Sequence, residues 1–202
     1  MTTQYSRHLL LFCFAWLLLW GAGPALAADS TAAQEPVAKA YKEIQKLAAE
    51  TTDANVMVES MDAVLARLVN YDAFARRTLK GTWRTLTSRQ RKRFKKAFKA
   101  LILKSYARRF KPGASFEVTW RGEPRFLDEA QASAEVRSTV SGEKAAADVD
   151  YIMARDKNVW RAHDIIVDEV SMAMNWRKQF KGIIEKSGFN SLVERIEKKV
   201  KK

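Results

Sequence analysis

From residue 115 to residue 168, apolar and polar side chains alternate with a period of two, and this pattern constrains the fold more than any other feature of the chain. Phe116, Val118 and Trp120 face one way, and Glu117, Thr119 and Arg121 face the other. Residues 131–140 repeat the pattern with Ala132, Ala134, Val136 and Val140 on one face. Residues 145–155 set Ala147, Val149, Tyr151 and Met153 against Asp148, Asp150 and Arg155, and residues 159–168 form the last strand. Ser141-Gly142-Glu143 and Asp156-Lys157-Asn158 read as tight turns. Parallel neighbours would need a crossover of a dozen or more residues. The strands are therefore expected to pair antiparallel, with one face buried and the other wet.

Helical periodicity brackets this meander. Pro36 suits a first helical position, and Val37, Tyr41, Ile44 and Ala48 follow it on one stripe. Asp53 is placed to cap a second helix that turns Met57, Met61, Val64, Leu65 and Leu68 inward. A short helix over residues 71–80 is expected to stop at Gly81. Thr87-Ser88-Arg89-Gln90 has the form of a capping box and opens the longest helix, which the pattern carries to about Phe110. Helix resumes at Ser171 with Met174, Phe180, Ile183 and Ile184 inward, pauses at Gly188, and restarts at Asn190. Helices, an antiparallel meander, then helices again make an α+β architecture.

Arg7 and His8 precede an apolar run from Leu9 to Trp20, which Gly21, Gly23 and Pro24 break before Ala25-Leu26-Ala27. This three-part pattern predicts a cleavable secretory leader cut after Ala27, with residues 28–202 as a single domain. The apolar run is shorter than the ~20 residues a membrane span needs. Cys13, the only cysteine, lies in the leader. The mature domain therefore has no disulfide or thiolate chemistry available and must rely on its core.

The 202-residue chain carries a net charge of +13. That excess favours an anionic partner. Export argues against nucleic acid and leaves a membrane surface or an acidic protein face. Residues 73–116 contain no acid at all, while Arg91, Lys92, Lys95, Lys96 and Lys99 stud the capped helix as candidate docking cations. Phe94 and Phe98 have core spacing, unlike the interleaved aromatics of a single-strand nucleic-acid platform.

Catalytic patterns are weak. His163 is the sole histidine after the leader, and strand alternation would turn it and Asp164 to opposite faces. Asp148 and Asp150 share a face and read either as a carboxylate pair or as the wet side of a strand. Glycine-rich phosphate loops, zinc-ligand spacings and a G-x-S-x-G elbow are absent from the sequence. The expectation is no enzyme, no cofactor and no metal.

Two ordered segments resemble a known family. Leu79-Lys80-Gly81-Thr82-Trp83-Arg84, then Thr87 through Gln90, Phe94, Phe98, Leu101 and Tyr106, resemble the core motif of the MlaC family of periplasmic phospholipid-binding proteins, also called the toluene-tolerance family. Trp160-Arg161-Ala162-His163-Asp164-Ile165, Val170-Ser171-Met172 and Asn175-Trp176-Arg177-Lys178-Gln179-Phe180 resemble its C-terminal segments. Lys80 interrupts the usual Leu-Gly step, and His163 stands where an aromatic or aliphatic residue is commoner.

The resemblance implies a curved antiparallel sheet packed on helices, similar to nuclear transport factor 2 and to cystatins, with an apolar pocket between the layers. It implies a phospholipid whose acyl chains enter that pocket while the headgroup stays outside. It also implies a periplasmic shuttle between an outer-membrane lipoprotein complex and an inner-membrane ABC transporter complex, with transient contact at a membrane surface. Alternation and resemblance together nominate Phe74, Phe94, Phe98, Leu101, Val118, Val136, Val149, Tyr151, Ile165 and Val167 as lipid-binding residues. Three other readings stay open: another amphiphile such as a hopanoid or fatty acid, an enzyme using Asp148 or Asp150, and a basic adaptor without cargo.

Overall fold

Local signals start most of the helices. The structure, a computed structural model, describes residues 30–106 and 112–201. A short 3-10 helix, Ser30–Ala33, leads into α1 (Glu35–Glu50), with Pro36 in its first turn. Residues 29–35 read as a polar linker in sequence, but Ala33 is fully buried and the 3-10 helix lies against the sheet. Asp53 caps α2 (Ala54–Leu68) by accepting from the amides of Asn55, at 2.6 Å, and Val56, at 3.3 Å. Asn70 does the same for α3 (Tyr71–Leu79) through the Ala73 amide. The Thr87 capping box forms as expected: the Gln90 amide donates to Thr87 Oγ1 at 3.2 Å, and the Thr87 amide donates to Gln90 Oε1 at 2.9 Å. It opens α5 (Ser88–Tyr106), whose expected continuation to Phe110 lies outside the described residues.

Gly81 does not end a helix. It starts the short α4 (Gly81–Thr85), and the left-handed backbone falls on Lys80 instead, at φ 45°. The final helix α6 (Met172–Lys201) runs to the end of the described residues, with one break at Gly188 (φ 79°, ψ 166°), where only glycine sits without strain. Met174, expected inward, is exposed on its first turn.

Six strands form one open antiparallel sheet in the order β1-β3-β4-β5-β6, with β2 also pairing with β3. They are β1 (Phe116–Trp120), β2 (Arg125–Phe126), β3 (Ser133–Gly142), β4 (Ala146–Asp156), β5 (Val159–Val167) and β6 (Val170–Ser171). The β4–β5 turn has positive φ at both Lys157 and Asn158, as the twist of a two-residue hairpin requires. The β5–β6 turn repeats that geometry at Asp168 and Glu169. Val69 and Asn70 pair with Ala162 along the free half of β5, so neither half of that strand is a bare edge.

The inner face of the sheet packs on the helices. Beyond it, α3, α5 and α6 enclose an aromatic cluster. Phe98 touches Phe74, Phe94, Trp176 and Phe180 at centroid distances of 5.2–6.2 Å. Phe189, just past the Gly188 break, reaches Phe94 at 6.0 Å. Such rings bury the largest apolar areas in a core and add edge-to-face attraction.

A positive φ on lysine costs roughly 1 kcal/mol or more, and glycine avoids the cost. Lys80→Gly is therefore expected to stabilise the protein by about 1 kcal/mol, read as a higher urea midpoint with an unchanged slope.

Candidate functional site

A gradient of burial along the inner face of the sheet locates the site. At one end, the cross-strand neighbours Ala134, Met153 and Ala162 are completely buried, as is Val136 beside Tyr151. Two residues further along, cover thins unevenly: Ser138 of β3 stays fully buried, while Val149 across from it does not. Val140 and Ala147, Val149 and Val167, and Val118 on β1 are only half-buried. Ile165 is half-buried as well. The helical layer thus seals one end of the sheet and leaves an apolar strip partly open at the other.

The path of β5 contributes to that strip. Ile152 pairs with Asp164 and Met153 with Ala162, so His163 is an inserted bulge residue. The insertion shifts the alternation by one, which lets Ala162 and then Ile165 and Val167 lie opposite inward-facing residues of β4. It also breaks the simple alternation expected of His163 and Asp164. The Asp164 side chain is fully buried and accepts from Arg77 Nε at 3.0 Å, Ser171 Oγ at 2.6 Å, and the amides of Ile165 and Ala173 at 2.9 and 3.0 Å. Its donors come from α3, β6, α6 and its own strand. His163 is not among them, and burial pushes the His163 imidazole below its ordinary pKa.

The ten candidate lipid-binding residues divide between these regions. Phe74, Phe94, Phe98 and Leu101 are at most 2% exposed, and the three phenylalanines belong to the aromatic cluster. Val136 and Tyr151 lie under the sealed part of the sheet. Val118, Val149, Ile165 and Val167 lie on the open strip. None of the ten lines either of two surface cavities. The larger, about 550 Å³, lies among α1, α2 and the β4–β5 hairpin beside Trp160, with Glu35, Lys39, Glu43, Arg67 and Arg155 on its walls. The smaller, about 230 Å³, lies between Gln45 of α1 and Phe116.

The sequence reading missed a polar thread beside the strip. Tyr151 donates to Tyr41 Oη at 2.7 Å, Tyr41 and Ser138 are 3.4 Å apart, and Ser138 donates to the Val149 carbonyl at 2.7 Å. The Tyr41 ring also meets Phe116 and Trp120 at 6.2 and 6.3 Å. The signal was present: Ser138 interrupts the apolar series Ala134, Val136, Val140.

The candidate docking cations also divide. Lys95 pairs with Asp72, and Lys99 pairs with Asp62 at 2.9 Å while lying over the Tyr71 ring. Arg91 donates to the Trp83 and Arg84 carbonyls and stacks over Trp83. Lys92 and Lys96 are exposed and make no salt bridge among the described residues. Asp148 and Asp150, the possible carboxylate pair, are bridged by Arg121, and Thr139 donates to Asp148 at 2.7 Å. No group of residues suited to hold a metal occurs among the described residues.

An open antiparallel sheet roofed by helices at one end, with a half-buried apolar strip at the other, defines an α+β protein with one-sided apolar cover. Residues 34–198 match the family model described as MlaC protein, and the chain belongs to the MlaC family. A phospholipid-binding protein from Ralstonia solanacearum, solved in complex with a phospholipid, has a similar fold with a TM-score of 0.74. The two are 20% identical over 86% of this chain and 97% of that one. No curated protein matches this sequence.

Removing the Asp164 carboxylate would leave two backbone amides and a guanidinium without their acceptor. Asp164→Ala is expected to cost about 3 kcal/mol in chemical denaturation, whereas Asp148→Ala on the outer face should stay within about 1 kcal/mol.

Proposed function

We propose that this protein is a periplasmic carrier that holds the acyl chains of a phospholipid against the open end of its sheet. The observation that carries the reading is the strip of Val118, Val140, Val149, Ile165 and Val167, which is apolar, in register and only half covered. Family membership and the phospholipid bound to the Ralstonia protein support the choice of cargo. Each buried methylene contributes about 0.8 kcal/mol, so a two-chain lipid cannot cross water unaided and gains most from a site that covers its tails. In this reading the headgroup stays outside, and no bond is made or broken. The carrier moves lipid between an outer-membrane lipoprotein complex and an inner-membrane ABC transporter complex. Arg89, Lys92 and Lys96, spaced on one solvent-facing stripe of α5, supply an attraction toward anionic membrane or acidic protein surfaces. The secretory leader delivers the chain to that compartment.

Mass spectrometry of the protein purified from periplasm without detergent tests the proposal. Near-stoichiometric phospholipid is the expected result. A hopanoid or a fatty acid in its place would change the cargo, and a folded, empty protein would remove the carrier reading. Val149→Trp places a bulky ring on the strip. We expect at least tenfold less bound lipid from this variant at an unchanged melting temperature.

A further inference from the structure

The phenols of Tyr41 and Tyr151 sit where an apolar core would ordinarily hold phenylalanine or leucine. Their environment explains how they are fixed. Both are 6% exposed, and their rings meet edge to face at 6.2 Å. The direction of the hydroxyl thread follows from counting hydrogens. Ser138 has one hydroxyl hydrogen and gives it to the Val149 carbonyl at 2.7 Å. Tyr41 must then donate to Ser138, and Tyr151 donates to Tyr41 at 2.7 Å. Every hydroxyl in the thread has a partner, and the thread ends on the backbone of β4 at Val149, itself a residue of the open strip. A leucine or phenylalanine in this place could change rotamer to admit a guest. Either tyrosine that moves leaves a buried hydroxyl unpaired, so the pair resists displacement.

Position along β4 gives this rigidity a consequence. Val149 is half-buried on the open strip, and Tyr151, the next inward-facing residue of the same strand, is buried. Along β4 the change from half-buried to buried takes a single step, and the pinned pair stands at that step, with Ser138 already buried opposite Val149. We infer that the Tyr41–Tyr151 pair is the inner stop of the apolar strip and sets the longest acyl segment the protein can bury. The inference rests on the carrier reading and adds to it the residues that select acyl length.

The test is binding of a homologous series of diacyl phosphatidylglycerols whose chains lengthen two methylenes at a time, measured by displacement of a fluorescent phospholipid. While each added methylene is buried, affinity rises by about fourfold. The wild-type protein is expected to climb and then reach a plateau at one chain length. Tyr151→Leu opens the step and moves that plateau to chains at least two carbons longer. Tyr151→Phe keeps the ring, removes the pin, and gives a softer plateau near the wild-type length. Wild-type affinity that climbs through the whole series, or a folded Tyr151→Leu protein with the wild-type plateau, overturns the stop and leaves the carrier intact. If Tyr151→Leu does not fold, Tyr41→Leu applies the same test from the helix side, and the wild-type curve remains decisive by itself. Failure of the wild-type protein to bind any member overturns the carrier reading and the stop together.

Discussion

The buried carboxylate of Asp164 holds the two layers of this protein in register. A lone carboxylate at zero exposure would be prohibitively costly. This one is satisfied by a guanidinium from α3, a hydroxyl from β6, and amides from β5 and the start of α6. Moving any of these elements breaks a charge-assisted bond, so their relative positions are set together. The bulge at His163 belongs to the same device. It brings in the carboxylate and shifts the strand by one residue, which puts Ile165 and Val167 opposite the inward face of β4. The irregularity that clamps the helices to the sheet also completes the apolar strip.

From that clamp follows a division of labour within one core. The aromatic cluster of Phe74, Phe94, Phe98, Trp176 and Phe180 is closely packed between α3, α5 and α6. It supplies the dense packing that a disulfide-free domain needs. The sheet can then leave Val118, Val149 and Val167 half covered at its other end. An apolar surface withheld from the core lowers stability by roughly 25 cal/mol for each Å² left uncovered. Such a deficit is tolerable only because the remaining core is filled.

What was legible in the sequence was what local chemistry decides. The Asp53 cap, the Thr87–Gln90 box, the Lys157-Asn158 turn and the inward or outward sense of the long strands all depend on neighbours a few residues apart. Strands β2 and β6 were invisible because two residues carry no period. The Asp168-Glu169 turn lacks the glycine or asparagine that advertises its geometry. The placement of the candidate site divided along the same line. Alternation identified Val149 and Phe116 as inward-facing, but a period of two holds no information about which end of a sheet the helices cover. It could not separate Val136 from Val149, two strand positions whose surroundings are set by helices distant in sequence.

The basic helix makes the same point about charge. Read along the chain, α5 is a run of cations with no acid within reach, and its like charges at spacings of three and four oppose helix formation. In three dimensions the acids arrive from elsewhere. Asp62 of α2 meets Lys99, Asp72 of α3 meets Lys95, and Glu197 of α6 takes Arg93 in a two-pronged pair at 2.8 and 3.0 Å. Each exposed pair contributes at most about 1 kcal/mol by itself. Their combined effect is to relieve repulsion on both flanks of α5 only once its neighbours have docked, which ties the formation of this helix to tertiary assembly. The outward stripe of Arg89, Lys92 and Lys96 lies between those flanks and forms no salt bridge among the described residues, Lys96 acting on Glu197 only at longer range. On α5 this stripe is the part of the charge that folding leaves without a salt bridge, and it is narrower than the run of cations in the helix sequence.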